Sequence, residues 1–329
     1  MYRNIMVPTD GSGFDREAIR AALRLAERSK AKIKLVRILS SGSLFGIAAA
    51  SEGTAGAAEV VRSERDNALS ELYALAAECR NLSDADIGVD LHSGPVADTL
   101  AGYARRQDAD LIVMSTHCRS GLARLALGSV TDSLIRRTSI PVLIVKPPAS
   151  YLNPRIGETF RSMVVPLDGS RVAEQILPRV MSLARLENAI ITLLHVLTRE
   201  RFTPTDTTEP DGAWWEKDVS MAEDYLERVA KKLRRYGTPV KTDIVVSQNV
   251  PQAISDFASR EKEDLIAIAT HGRGGLARML RGSVADAVLH SANASMLVLK
   301  PESVPENNGG ITREEALSVY WSGVDLVPT

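Results

Sequence analysis

DLIAIATHGRGGLARMLRGSVADAVLHSANASMLVLKP, from Asp264 to Pro301, is the stretch whose reading decides the fold. Its opening apolar run, Leu265–Ala269, has the length and composition of a strand buried on both faces. Gly272, Gly274 and Gly275 follow in a loop, and nine residues separate Gly272 from the pair Gly282-Ser283. Ser283 is a favourable N-cap, and Val284, Ala287 and Val288 continue at helical spacing. A closing apolar strand is expected at Met296–Leu299. This succession suits a phosphate cradle. Glycine lets a ligand approach backbone where a Cβ would intrude, and the N–H groups of a helix start attract anions. A glycine loop on its own is more readily read as a tight turn between strand and helix.

Working outward, residues 115–147 (STHCRSGLARLALGSVTDSLIRRTSIPVLIVKP) repeat residues 269–301 at an offset of 154, with identity at 14 of 33 positions. MVVPLDGS at Met163–Ser170 repeats IMVPTDGS at Ile5–Ser12 at an offset of 158. A period this long means two domains, not a solenoid. In the first copy, strands are expected at Asn4–Val7, Ile33–Leu39, Ile87–His92, Asp110–Ser115 and Val142–Lys146. Helices are expected at Asp15–Ser29, Glu59–Cys79, Val96–Arg106 and Ser129–Arg137, with Ser40–Ala58 a Gly- and Ser-rich mobile connection. The second copy repeats this order with strands at Ile190–Leu197, Val240–Val246 and Asp264–Ala269 and helices at Met221–Tyr236 and Pro251–Arg260. Its variable connection is Arg199–Asp218, carrying Trp214-Trp215. Strands and helices in alternation imply a parallel, doubly wound sheet with right-handed crossovers. The expected organisation is domain 1 at 1–147, a linker at 148–161, domain 2 at 162–301 and a tail at 302–329. The tail opens as a disordered segment, and Thr312 with Glu315 offers a capping box for a short helix.

The chain has 329 residues, 25% charged and 44% hydrophobic, with a net charge of −1. That balance gives no general attraction to nucleic acid or to a membrane. No signal-peptide layout and no apolar run of transmembrane length is evident, so a cytoplasmic protein is expected. Two cysteines, Cys79 and Cys118, make neither a disulfide framework nor a metal cluster.

Two copies of V-P-x-D-G-S, each followed by T-H-x-R…G-S-V and closed by an apolar strand ending in Lys-Pro, resemble the universal stress protein family in its tandem, two-domain form. The resemblance implies two Rossmann-like domains of the adenine nucleotide alpha hydrolase-like type, each a doubly wound five-stranded parallel sheet. It implies an adenine nucleotide, usually ATP with Mg²⁺ held through phosphate oxygens and water. It also implies that the final strands pair, making an internal pseudo-dimer of the two domains. A homodimer of chains is expected in addition, because the tail residues Tyr320 and Trp321 need cover.

The family's nucleotide motif is Gly-x-x-Gly, nine residues, then Gly-Ser. In the second copy it falls on Ala269, Gly272, Gly282 and Ser283, with Val284 next. By the same resemblance Pro166, Leu167 and Asp168 flank the adenine and ribose, and Val196 packs on the base. Asp168 is also readable as a cap for the next helix. The first-copy counterparts are Asp10, Ile38, Ser115, Gly128, Ser129 and Val130. Cys118 stands where a glycine would lie against the phosphates, so binding is expected mainly in domain 2. His117 and His271 recur beside the loop and are read as fixing it; Arg37 and His195 differ between copies and are read as structural or surface residues. No nucleophile or paired carboxylate is evident, so any ATP hydrolysis should be slow. The leading expectation is an ATP-binding stress-response regulator or adaptor. The alternatives are a slow ATPase or related enzyme on the same fold, and a nucleotide-independent scaffold or small-molecule carrier.

Overall fold

The computed structural model describes residues 1–13, 15–40, 54–115, 127–146, 160–198, 211–270 and 283–301. The chain divides into two compact units, one drawn from residues 2–158 and the other from residue 159 onward.

In the first unit, β1 (Asn4–Pro8), β2 (Lys32–Leu39), β3 (Ile87–Ser93), β4 (Leu111–Ser115) and β5 (Val142–Val145) form a parallel sheet in the order β3-β2-β1-β4-β5. β4 and β5 are buried at every position, as expected of strands covered on both faces. The chain runs outward from β1 to β2 and β3, then returns to lay β4 on the other side of β1. The carboxyl ends of β1 and β4 therefore flank the point where the winding reverses, the usual ligand crevice of open α/β sheets.

The helices follow from their apolar spacing. α1 (Arg16–Ser29) buries Ala18, Ala22, Leu25 and Ala26 and ends at Lys30 in the left-handed conformation. α2 (Thr54–Leu82) buries Ala68, Leu72, Ala76 and Cys79. It begins five residues before the expected Glu59, because the alanines around Gly56 are strong helix formers and outweigh one glycine. α3 (Val96–Arg106) and α4 (Ser129–Arg137) coincide with the sequence reading.

The second unit repeats this architecture with β6 (Ser162–Pro166), β7 (Ile190–Leu197), β8 (Val240–Val246), β9 (Leu265–Ala269) and β10 (Ser295–Leu299) in the order β10-β9-β6-β7-β8. All these pairs are parallel. The fold class read from the sequence is thus borne out. One difference is local: the counterpart of α1 is broken into α5 (Arg171–Glu174) and α6 (Leu177–Glu187). Pro178, in the first turn of α6, has no N–H to carry the ladder through from α5. α7 (Asp211–Arg234) starts ten residues before the expected Met221 and so takes in the backbone of Trp214 and Trp215, read earlier as connection. Pro210 immediately precedes this helix in the sequence, and a proline is compatible with a helix start. α8 (Val250–Arg260) and α9 (Ser283–Ser291) complete the unit. The expected linker (apart from its last two residues) and the tail, with Thr312, Glu315, Tyr320 and Trp321, lie outside the described residues. Among the described residues no helix is long and apolar enough to cross a membrane.

Candidate binding site at the strand ends

Each unit carries its V-P-x-D-G-S segment from the end of its first strand into a tight turn. Thr9 N–H donates to Val36 O at 2.9 Å and Leu167 N–H to Leu194 O at 2.8 Å, so both segments leave the sheet alike. The aspartate then closes the turn on itself: Ser12 N–H donates to Asp10 Oδ1 at 2.8 Å, and Ser170 N–H to Asp168 Oδ1 at 2.9 Å. The glycine between them is at φ 77° in Gly11 and 82° in Gly169, a left-handed conformation that disfavours other residues. Asp10 and Asp168 are both exposed at the crevice. The helix-cap reading of Asp168 is corrected here: Ser170 is the cap, accepting from Ala173 N–H at 3.1 Å, and the carboxylate shapes the turn that precedes it.

The other side of the crevice is the end of the neighbouring strand. β9 pairs with β6 through Met163↔Leu265 and Val164↔Ile266, which brings Ala269, 8% exposed, alongside the end of Pro166-Leu167. β1 and β4 pair as Ile5↔Leu111 and Met6↔Ile112, setting buried Ser115 in the matching place. Val196 and Ile38 overhang the first strand from the far side: Pro166 pairs with Leu194 and Pro8 with Val36, two residues earlier. Both are half-buried.

The start of α4 is the described half of the segment that the sequence reading offers as a phosphate cradle. Gly128, in extended conformation at φ −61°, caps this helix, and Asp132 N–H donates to its carbonyl at 3.0 Å. Ser129 is therefore the first helical residue and not the cap; the same correction applies to Ser283, the first residue of α9, whose side chain is outside the described set. A Cβ on Gly128 would meet only Thr131 Oγ1, at 3.9 Å, among the described atoms. Among the described atoms neither φ nor packing demands glycine there, and the N–H groups of Ser129 and Val130 belong to the first turn of the helix, where no intrahelical acceptor is available. Val284 is half-buried one residue into α9. Gly272, Gly282, Cys118, His117 and His271 lie outside the described residues.

Beneath the second turn lies a polar cluster that sequence reading did not assemble. His195 Nδ1 donates to Leu167 O at 2.7 Å, which gives the residue the structural role expected of it. Tyr225, from α7, donates to Glu174 Oε1 at 3.2 Å, and both side chains are buried. Burial first, then the adjoining Glu174 carboxylate and its hydrogen bond, and more distantly Asp168, hold the Tyr225 phenol far above its ordinary range; a hydrogen bond from Gly169 N–H partly offsets them. The phenol thus stays protonated while its oxygen accepts from the turn. In the first unit the equivalent positions carry Arg37 and Glu71, which form an ion pair at 2.5 Å. The signal for both pairs was in the repeat: Arg37 and His195 differ by the offset of 158, Glu71 and Tyr225 by 154. Cys79 is buried, and burial, followed by nearby Glu78, pushes its thiol up and away from reactivity.

The model of the universal stress protein family matches the chain twice, at residues 1–146 and 159–300. A universal stress protein of Methanocaldococcus jannaschii is 32% identical over 153 residues, covering 45% of this chain and 84% of that protein. One of Mycobacterium tuberculosis strain H37Rv is 29% identical over 195 residues, 59% of this chain and 62% of the relative. Among solved structures, a universal stress protein from Archaeoglobus fulgidus superposes with a TM-score of 0.64 at 16% identity, over 90% of this chain and 98% of that one, a likeness of fold. With two family matches that together span most of its length, each on a sheet wound in the same order, this chain belongs to the universal stress protein family.

Proposed function

We propose that this protein binds an adenine nucleotide, ATP with Mg²⁺, mainly in its second domain, and acts through that binding as a regulator or adaptor in a stress response. The observation that carries the reading is the switch-point crevice between β6 and β9, where the exposed Asp168 stands beside the small Ala269 at the mouth of the glycine segment. In this reading Pro166, Leu167, Asp168 and Val196 border the adenine and ribose. The glycine loop at Gly272, with the start of α9 at Gly282, Ser283 and Val284, receives the phosphates. The fit is supported by the first copy, where a Cβ on Gly128 would meet, among the described atoms, only Thr131 Oγ1 at 3.9 Å. Mg²⁺ would be held through phosphate oxygens and water, neutralising their charge.

Binding is favoured over turnover because, among the described residues, the titratable groups nearest the turn are already engaged. His195 is bonded to Leu167 O and Tyr225 to Glu174, so both hold the loop in place. Native mass spectrometry of the purified chain should show one retained ATP. Purification with another ligand or with none, together with no heat on titration with Mg-ATP, would defeat the reading. The proposal extends to assembly: the two domains pair within one chain as an internal pseudo-dimer, and chains associate into a homodimer through the tail. Sedimentation of the intact protein and of a chain lacking residues 302–329 should give two-chain and one-chain masses respectively.

A further inference from the structure

In each unit the turn glycine gives its N–H to a hydroxyl, and that hydroxyl gives its proton to a buried carboxylate. In the first unit Gly11 N–H donates to Thr9 Oγ1 at 3.2 Å, and Thr9 Oγ1 donates to Asp15 Oδ2 just ahead of α1. In the second, Gly169 N–H donates to Tyr225 Oη, and Tyr225 Oη donates at 3.2 Å to Glu174 Oε1 at the end of α5. Asp15 is 4% exposed and Glu174 8%. The chain of bonds is the same, yet only the glycine corresponds between the copies. At the offset of 158, Thr9 answers to Leu167, Asp15 to Ala173 and Glu174 to Arg16. Ala68, Leu72 and Ala76 of α2 and Ala222, Leu226 and Ala230 of α7 are buried at an offset of 154, which sets Tyr225 opposite Glu71. Unlike side chains that reach the same bonds mark the glycine N–H as the group each unit holds.

We infer that this relay sets the pose of the aspartate facing each crevice, and that Tyr225 in the second domain and Thr9 in the first are its positioning residues. A hydroxyl has one proton to give and lone pairs with which to accept. The carboxylate oxygen takes that proton, which turns a lone pair of the hydroxyl toward the glycine N–H. Gly169 N–H belongs to the peptide plane that follows Asp168. Leu167 O, held by His195 Nδ1 at 2.7 Å, belongs to the plane that precedes it. With both planes pinned, the two backbone torsions of Asp168 are fixed. Its carboxylate then stays exposed at the crevice, with Oδ1 turned to Ser170 N–H. Burial keeps the Tyr225 phenol protonated, so the relay runs in one direction. The inference rests on the nucleotide reading for the ligand that Asp168 meets, but not for the relay itself.

Two measurements test it. Tyr225→Phe removes the hydroxyl and keeps the ring that lies against His195 and beneath Arg228. In the intact, ligand-free chain it should speed amide hydrogen exchange at Gly169 by about two- to tenfold, the worth of one net hydrogen bond, with Gly11 unchanged. Thr9→Val should speed Gly11 and leave Gly169 alone, and Thr9→Ser, which restores the hydroxyl, should return Gly11 to its original rate. An unchanged rate at Gly169 in Tyr225→Phe, or at Gly11 in Thr9→Val, overturns the relay whether or not ATP binds. Calorimetric titration with Mg-ATP then separates positioning from stability. Tyr225→Phe should raise the dissociation constant by about two- to tenfold at the same number of sites. Asn249→Ala, which removes the cap of α8 in the same unit, should lower stability and leave that constant unchanged. Equal affinity in Tyr225→Phe and the native chain, or an equal loss in Asn249→Ala, overturns the positioning role. No ATP taken up by the native chain refutes the nucleotide reading instead, and amide exchange alone then decides the relay.

Discussion

Gly11 and Gly169 hold the same backbone conformation in different surroundings, which makes them a matched pair for substitution. Alanine at either site is strained by the positive φ, and each variant should lose about 1 kcal/mol in denaturant unfolding. Gly11→Ala must also push Arg37 aside, so it should weaken the bond to Glu71, while Gly169→Ala leaves its neighbours in place. Unfolding free energies that differ between the two by several kcal/mol would contradict this account. Glu263 gives a residue-scale dependence on pH. Burial, above all, raises its pKa, against hydrogen bonds from Thr192 and Ser162 that lower it, and Oε2 is buried with no partner among the described residues. The folded state thus holds this proton more tightly than the unfolded state does. Stability falls as pH climbs from the unfolded pKa through the folded one, and the full penalty applies above both. Glu263→Gln should raise the melting temperature at neutral pH and lose that advantage near about pH 4, where the native carboxyl is itself protonated. A gain that persists unchanged in acid would point to packing instead of charge.

At the scale of elements, capping separates what sequence reveals from what it hides. Asn249 caps α8 by accepting from Gln252 N–H at 3.2 Å, and Asn249→Ala should cost about 1 kcal/mol in the same unfolding measurement. α3, α4, β7 and β8 have the ends that the sequence predicts, and the two helices each pack one clear apolar face. α2 and α7 start earlier than predicted because their first turns carry no apolar stripe to announce them. The α5–α6 break is legible in Pro178, which has no N–H to give to the preceding turn. For the site, the strand ends and the turn aspartates were legible because local chemistry sets them. Arg37–Glu71 and Tyr225–Glu174 were not: their partners lie 34 and 51 residues apart, joined only when a crossover folds a helix back on the sheet. Comparing the two copies position by position exposes them, since the frame is kept and only these side chains change.

For the molecule as a whole, duplication supplies an internal control. Both units wind their strands in the same order and present the same turn, so among the described residues the two crevices differ in side chains. One such difference is in the motif, where the first copy carries Cys118 and the second Gly272. A side chain at that motif position displaces phosphate oxygens from the backbone N–H groups that would receive them. One or two lost charge-assisted hydrogen bonds, each worth about 1.5–3 kcal/mol, weaken binding by at least about tenfold. One ATP per chain is therefore expected, held in the domain of Asp168. Gly272→Cys should remove most of the calorimetric signal, and Asp10→Ala should barely alter it. Asp10 nevertheless shapes its own turn through Ser12 N–H, so the same variant should loosen amide exchange at Ser12. That second readout confirms that the substitution has acted where ATP does not bind. Two equivalent sites per chain, or binding lost in the Asp10 variant and retained in Gly272→Cys, would reverse the assignment of the working domain.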